Sequence, residues 1–484
     1  MAAPDRPNVV LVVTDTQGLN AVGELGGVGS GVVDTPHLDS LADAGVTCAN
    51  AYAGAPVCGP SRSCLFTGNY PHRAGGWANS VRLHQGVRTM GSYFREAGYR
   101  TAYVGKWHLD GDYFGDGTAP DYYEQEYWYD GHNYREDMGD EFFRWWWTEG
   151  MAENFNAEHP PDVLRQRGIT REDVWAGRIV DRARSFVEDV GDDQPYFLVV
   201  SIDEPHEPSL CPPEFAERYV EDLPPLPENY ESAQELRDKP AHHQARAAEF
   251  RNGEFFIDSL SDPESGVLPR PVYFGCSEFV DTEIGRLLET IDAHDRENTL
   301  VSYTSDHGHH LGAHGLDSKW ATMYDETVNV PLVFRYPNGL PTGERRDSIA
   351  SHVDLLPTLL DFAGIADEVD VDGRSMRRFL AAGERYRDAA VMEYGAFSAK
   401  SVGADGIGFF PIRALVNEDY KLVINLLESD EFYDLNERPH EVTNRIDDND
   451  YTDRRDELFQ DLVSRMEAAG DPFRGRAWAD RGWR

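Results

Sequence analysis

The run Asn8-Val9-Val10-Leu11-Val12-Val13 is apolar without interruption. A strand that faced water on one side would alternate, so this pattern predicts a parallel strand covered on both faces. Comparable runs occur at Thr101–Val104, Tyr196–Ile202, Thr299–Thr304 and Pro331–Tyr336. Amphipathic stretches lie between them, among them Met90–Ala97 and Tyr273–Ile291. Thr35-Pro36 starts a further helix, with Leu38, Leu41 and Ala42 on one face and Gly45 as its stop. Strands alternating with helices predict an α/β fold built on a mostly parallel sheet flanked by helices. Asp15, Lys106, His206 and Asp306 each fall a few residues beyond the end of one of these strands. Open α/β sheets bind ligands beyond their strand carboxyl ends, so the four are expected to converge there.

The 484-residue chain is long enough for two domains. After Gly364 the pattern changes: Pro411–Val416 and Tyr420–Leu426 read as a hairpin, Phe432–Leu435 as a turn, and Tyr451–Ala469 as a final helix. The expected division is an α/β domain over residues 1–375 and a smaller C-terminal α+β domain with an antiparallel sheet over 376–484. Residues 111–160 form an insertion rich in aromatic and acidic residues, including Trp145-Trp146-Trp147. It reads as a lid or subdomain packing its own small core, the alternative being an aromatic platform for sugar rings. Leu223–Pro227 and the polar residues to about 250 read as a surface excursion.

The formal net charge is −41, and only five residues are lysine: Lys106, Lys239, Lys319, Lys400 and Lys421. A G+C-rich genome accounts for arginine in place of lysine but not for the excess of acid, which is spread along the chain. An acidic, lysine-poor surface resembles that of proteins from salt-rich cytoplasm, where screening relieves self-repulsion. The same charge argues against nucleic acid as a partner. Five cysteines at irregular spacing suggest neither a disulfide scaffold nor a zinc or redox pair. Met1–Pro7 lacks a basic region followed by an apolar stretch, and no run approaches a membrane span. A cytoplasmic protein with no membrane partner is expected.

The chemistry is concentrated in short motifs. Cys58-Gly59-Pro60-Ser61-Arg62 is followed by Thr67-Gly68. Pro60 and its neighbours suit the first turn of a helix, where free backbone N–H groups favour an anion. Asp15 is followed by Thr16-Gln17. Gly98-Tyr99-Arg100-Thr101 leads to Gly105-Lys106-Trp107-His108, and Asp203-Glu204-Pro205-His206-Glu207-Pro208 follows a predicted strand. Thr304-Ser305-Asp306-His307-Gly308 runs on through His309, His310 and His314 to Lys319. Taken singly, each has a plain reading: a buried thiol, a turn aspartate, a loop with a packed tryptophan, a capped histidine. The four histidines between 307 and 314 also allow a separate zinc site.

Together these motifs resemble the type I sulfatases of the alkaline phosphatase superfamily. Cys-x-Pro-Ser-Arg-x-x-x-x-Thr-Gly is the family's signature for oxidation of the cysteine to formylglycine. Gly-Tyr-x-Thr-x-x-x-Gly-Lys-Trp-His and Pro-His-x-Pro match as well. So do Ser351–Leu360 and Tyr433-Asp434-Leu435…Pro439-x-Glu441. The resemblance covers the chain outside 111–160 and 209–270. It departs at Thr16-Gln17, where many sulfatases carry a second aspartate; a neutral oxygen or water would take that place.

The resemblance implies hydrolysis of a sulfate ester through hydrated formylglycine-58, made by a formylglycine-generating enzyme. One hydroxyl would attack sulfur and the other would later expel sulfate. The implied metal ligands are Asp15, residue 58, Asp306 and His307, holding one divalent ion, calcium first and manganese or magnesium next. Arg62, Lys106 and Lys319 would neutralise the sulfo group, with His206 as general acid and His108 as general base. A sulfated carbohydrate is the preferred substrate, with aryl or small alkyl sulfates as alternatives. Two other readings remain open. One is a phosphonate monoester hydrolase or phosphodiesterase of the same superfamily; the other is a non-catalytic binding protein whose Cys58 stays a thiol.

Overall fold

The computed structural model describes residues 6–26, 32–149, 159–191, 194–230, 235–251, 270–365, 369–396 and 409–475, with 481 and 483. Parts of the 111–160 and 209–270 excursions therefore lie outside the described residues. Seven strands form the larger sheet: β1 (Asn8–Asp15), β2 (Val46–Tyr52), β3 (Arg100–Gly105), β4 (Tyr196–Pro205), β5 (Thr299–Ser305), β6 (Leu332–Arg335) and β7 (Glu344–Ser351). Their order is β3-β4-β1-β5-β6-β2-β7. All neighbouring pairs are parallel except those of β6, which runs antiparallel to β5 and β2. Every residue of β1 is buried, as its unbroken apolar run requires.

The five strands read from apolar runs are all present. β2 and β7 are additional, and their sequences explain why they are hard to read. β2 (Val-Thr-Cys-Ala-Asn-Ala-Tyr) has no apolar run, and β7, on the sheet edge, begins Glu-Arg-Arg-Asp with one face in water. The helix Pro36–Asp43 starts at the expected proline. Gly45 lies where a Cβ would come within 2.2 Å of the Phe334 carbonyl oxygen, so it marks a backbone crossing as well as a stop.

The second sheet is antiparallel, in the order β11-β10-β9-β8, from β8 (Ala389–Tyr394), β9 (Ile412–Asn417), β10 (Tyr420–Asn425) and β11 (Glu431–Asp434). The hairpin is as expected, whereas the segment read as a turn at Phe432 is strand β11. The helix Thr452–Ala468 buries Leu458, Phe459, Leu462 and Met466 against this sheet. Met376, Phe379 and Leu380 pack instead with the core of the larger sheet.

The aromatic insertion does not build a separate core. Tyr127, Tyr129, Tyr134, Phe143, Trp145 and Trp146 join the cluster under β1, β3 and β4, while Tyr123 and Trp128 pack on the other face with Tyr103 and Trp107. The 235–251 region is likewise less superficial than its polarity suggests. Lys239 and His243 are buried, and the Lys239 ammonium donates to the Tyr433 hydroxyl at 3.2 Å. No helix among the described residues is long and apolar enough to cross a membrane.

Candidate active site

Strands β3, β4, β1 and β5 lie side by side and parallel, so their carboxyl ends open on one edge. Asp15 ends β1, Lys106 follows β3, His206 follows β4, and Asp306 and His307 follow β5. Gly105 delivers Lys106. Its φ is +116°, and a Cβ there would meet the Ser201 carbonyl oxygen at 1.9 Å, so no other residue fits without moving the strand. Cys58 opens the helix Cys58–Thr67, all ten residues of which are buried.

Ligand atoms of Asp15, Cys58, Asp306 and His307 all lie within 4.8 Å of one another. The Cys58 Sγ is 3.2 Å from His307 Nε2 and 3.7 Å from an Asp15 oxygen. Arg62 donates from Nε to Asp306 at 2.8 Å, pairs with Asp15 at 3.3 Å, and gives one terminal nitrogen to the Lys106 carbonyl and the Ser201 hydroxyl. Its guanidinium is thus tied to the carboxylates and to β3 and β4. Lys106 lies 2.6 Å from Asp15 Oδ2 and 3.0 Å from Asp203, and Lys319 lies 3.8 Å from Asp15 Oδ1.

The expected free N–H groups at the start of the Cys58 helix are largely spent. Gly59 N–H donates to Asn79 at 2.8 Å, Pro60 has none, and Ser61 N–H donates to the Val57 carbonyl. Anion neutralisation therefore falls to side chains. The departure at Thr16-Gln17 also has a structural answer. The Thr16 hydroxyl donates to Asp15 at 2.6 Å and accepts from Lys319 at 3.1 Å, whereas the Gln17 amide turns away to Ala21 and Tyr303. Thr16 sits at φ 66° and His108 at φ 59°, unusual for residues with a Cβ, and such strain concentrates at functional sites.

Electrostatics follow from burial without water. Burial pushes Asp15 up, but Lys106 and then Lys319 overcome this and hold its carboxyl well below the usual range. Burial and then the Asp15 charge push Asp306 up, against Arg62. The two carboxylates, with His307 and residue 58, form a donor set that could hold a divalent ion. Burial, then Asp15, pushes the Cys58 thiol up to about 12. Burial, then Lys106, holds His108 well below its ordinary value; burial, then Lys319, lowers His206.

Three contributors are not among the predicted site residues. Tyr113, from the insertion, places its ring 3.8 Å from the Lys106 ammonium, and its hydroxyl donates to Asp203 at 2.8 Å. Its ring also lies 5.0 Å from that of His108 and 5.6 Å from that of His206. Asp203 and Ser201, both on β4, complete the surroundings of Lys106 and Arg62. The open alternative of a separate zinc site is not formed among the described residues. His309 bonds Glu207, His310 bonds Thr322, and His314 stacks on Tyr324.

The sequence profile of the Sulfatase family matches residues 7–365, and that of the N-sulphoglucosamine sulphohydrolase C-terminal region matches 312–468. An uncharacterized sulfatase, YidJ, of Escherichia coli (strain K12) is 38% identical over 99% of this chain and 91% of its own length. An N-acetylglucosamine-6-O-sulfatase of Bacteroides thetaiotaomicron is 26% identical over 94% of this chain and 85% of its own. Among solved structures, a protein in complex with D-glucosamine-2-N,6-O-disulfate superposes with a TM-score of 0.73 at 24% identity, covering 97% of this chain and 99% of that one. The phosphonate monoester hydrolase of Agrobacterium radiobacter gives 0.78 at 23% identity over 96% of both chains. With the motif residues gathered at one sheet edge and the profile spanning most of the sequence, this chain belongs to the sulfatase family of the alkaline phosphatase superfamily and is a sulfuric ester hydrolase.

Proposed function

We propose that the enzyme hydrolyses a sulfated carbohydrate or an aryl sulfate through formylglycine at position 58. The observation that carries this reading is the place of Cys58 Sγ among Asp15, Asp306 and His307. A thiol held neutral there is a poor nucleophile, whereas a hydrated aldehyde offers one hydroxyl to attack sulfur and a second to re-form the carbonyl. A divalent ion, calcium first, held by Asp15, Asp306, His307 and residue 58, would lower the pKa of the attacking hydroxyl.

The chain's own residues supply the rest. Lys106 and Lys319 neutralise the sulfo oxygens, and Arg62 positions the two carboxylates and adds charge behind them. As the ester S–O bond breaks, His206 gives its proton to the departing oxygen. His108, kept neutral by burial and Lys106, accepts the proton of the second hydroxyl as sulfate is expelled. Relatives named as acting on N-acetylglucosamine 6-sulfate and on ulvan support a sulfated saccharide. A cytoplasmic location is consistent with the five free, buried cysteines. The net charge of −41 supports a requirement for high salt, which screens the approach of an anionic substrate.

Peptide mass spectrometry across Cys58, on protein made with a formylglycine-generating enzyme, tests the reading. The expected result is the aldehyde, a loss of about 18 Da relative to the thiol, with sulfate released from 4-nitrophenyl sulfate in calcium and high salt. A persistent thiol in protein active on sulfate esters would remove formylglycine from the mechanism. An aldehyde with phosphodiester cleavage and no sulfate release would move the protein to the phosphonate hydrolase branch.

A further inference from the structure

The hydrogen bonds behind His206 determine which of its nitrogens exchanges a proton. His206 Nδ1 is 2.7 Å from the carbonyl oxygen of Glu207. A carbonyl only accepts, so Nδ1 carries a hydrogen and Nε2 is the exchanging atom. The Glu207 carboxylate stands 3.6 Å from the same Nδ1. Its other oxygen lies 3.1 Å from His309 Nε2. His309 Nδ1 accepts the Leu311 N–H at 2.9 Å, so its Nε2 holds the hydrogen that it gives to Glu207. The main-chain carbonyl of Glu207 thus fixes the His206 tautomer and His309 fixes the Glu207 carboxylate, which faces Nδ1 at ion-pair distance. Glu207 occupies the variable position of the Pro-His-x-Pro pattern, so the motif does not ask for a carboxylate there.

We propose that Glu207 is a positioning residue for His206: its main-chain carbonyl leaves Nε2 as the acid, and its carboxylate, oriented by His309, stabilises the imidazolium. The proposal rests on the sulfatase reading above. In the step it serves, the electron pair of the breaking S–O bond goes to the leaving oxygen. That oxygen takes the Nε2 proton, and the imidazole is left neutral. Lys319, Lys106 and Asp15 also act on His206 by charge, and the Tyr113 ring faces it at 5.6 Å. The two lysines disfavour the imidazolium; Asp15 and then Glu207 offset them, and of these two Glu207 is within ion-pair distance of Nδ1. The carboxylate is itself kept ionised: burial opposes this, but the His309 hydrogen bond and then His206 hold Glu207 well below its ordinary value.

The test is Glu207→Gln in formylglycine-bearing enzyme, assayed on 4-nitrophenyl sulfate and 4-methoxyphenyl sulfate across pH. A good leaving group needs no proton, so the first substrate reports folding and sulfur attack, while the second reports the acid. The expected result is a loss of about 30-fold in kcat/KM on the methoxy ester and about 3-fold or less on the nitro ester. The alkaline limb for the methoxy ester should move down by about one pH unit. Equal losses on both esters, or no loss on either, would overturn the proposal. Wild-type enzyme that cleaves neither ester would instead sink the sulfatase reading on which it rests.

Discussion

Two lysines in this molecule are buried between paired carboxylates, one at the active-site edge and one at the junction with the smaller sheet. Lys106 lies between Asp15 at 2.6 Å and Asp203 at 3.0 Å; Lys421 lies between Asp325 at 2.6 Å and Glu441 at 2.7 Å. Both are fully buried, and in both the carboxylates outweigh desolvation and raise the ammonium pKa. They differ in the third direction. Lys421 donates to the Met323 carbonyl at 2.8 Å, which completes its hydrogen bonding. Lys106 meets the face of Tyr113, a weaker partner, which the proposed mechanism has a sulfo oxygen displace. Burial and pairing are thus common to both lysines; what occupies the remaining donor differs, and the proposed mechanism gives a working role to Lys106 alone of the two.

The largest effect expected concerns the nucleophile. Cys58→Ala should lower kcat on 4-nitrophenyl sulfate by about 10⁴-fold or more, with circular dichroism and melting behaviour close to wild type. Residual turnover within tenfold of wild type would remove residue 58 from the chemistry. The comparison itself is broken or sharpened by Lys106→Met against Lys421→Met. The first should cost about 10³-fold in kcat and little stability, because Asp15 keeps Arg62 and Lys319 and Asp203 keeps the Tyr113 hydroxyl. The second should cost about 4 kcal/mol of stability, since it leaves the buried Glu441 without its cation, while the folded fraction keeps its kcat. Equal loss of stability in both would show that the two lysines do the same work.

Removing divalent ions with a chelator should abolish turnover and lower Tm, and calcium should restore both, because an ion bound only by the folded state stabilises it by mass action. An unchanged Tm in a fully chelated, inactive sample would place the ion outside the Asp15–Asp306 cluster. The smallest effect concerns Glu204, beside the Asp203 that pairs with Lys106. Burial, then Asp203, pushes its carboxyl up to about 8 from 4.5. Below 4.5 it is protonated in both states. Between 4.5 and about 8 the unfolded chain has lost the proton and the folded one retains it, so stability falls as pH rises through this window and levels off above it. Glu204→Gln should flatten the fall of Tm between pH 5 and 8; an unchanged slope would show that other groups set it.

The sequence was most legible where function and fold coincide. Asp15, Lys106, His206 and Asp306 follow apolar runs whose strands are neighbours in the sheet, so each motif could be assigned to one edge. β2 and β7 were not legible, because a short mixed strand and a polar edge strand leave no periodicity to read. The insertion was legible as aromatic but not in its destination: among its described residues the rings enter the two main cores, and Tyr113 reaches the site. Thr16 could be weighed as a substitute for a second aspartate, but only the backbone turn at φ 66° decides that its hydroxyl, not the Gln17 amide, faces Asp15.

By itself, then, the sequence determined the family, the enzyme class and the α/β frame, through motifs that carry the signature cysteine, the cations and the histidines. These depend on local pattern, and local pattern survives without coordinates. The tertiary structure alone decided which groups share a charge and which proton sits where. Arg62 bound to both carboxylates, Asp203 and Tyr113 around Lys106, and His309 bonded to Glu207 join residues from different strands and loops. Such pairings come from the crossing of chain segments at the sheet edge, and no spacing along the chain encodes them.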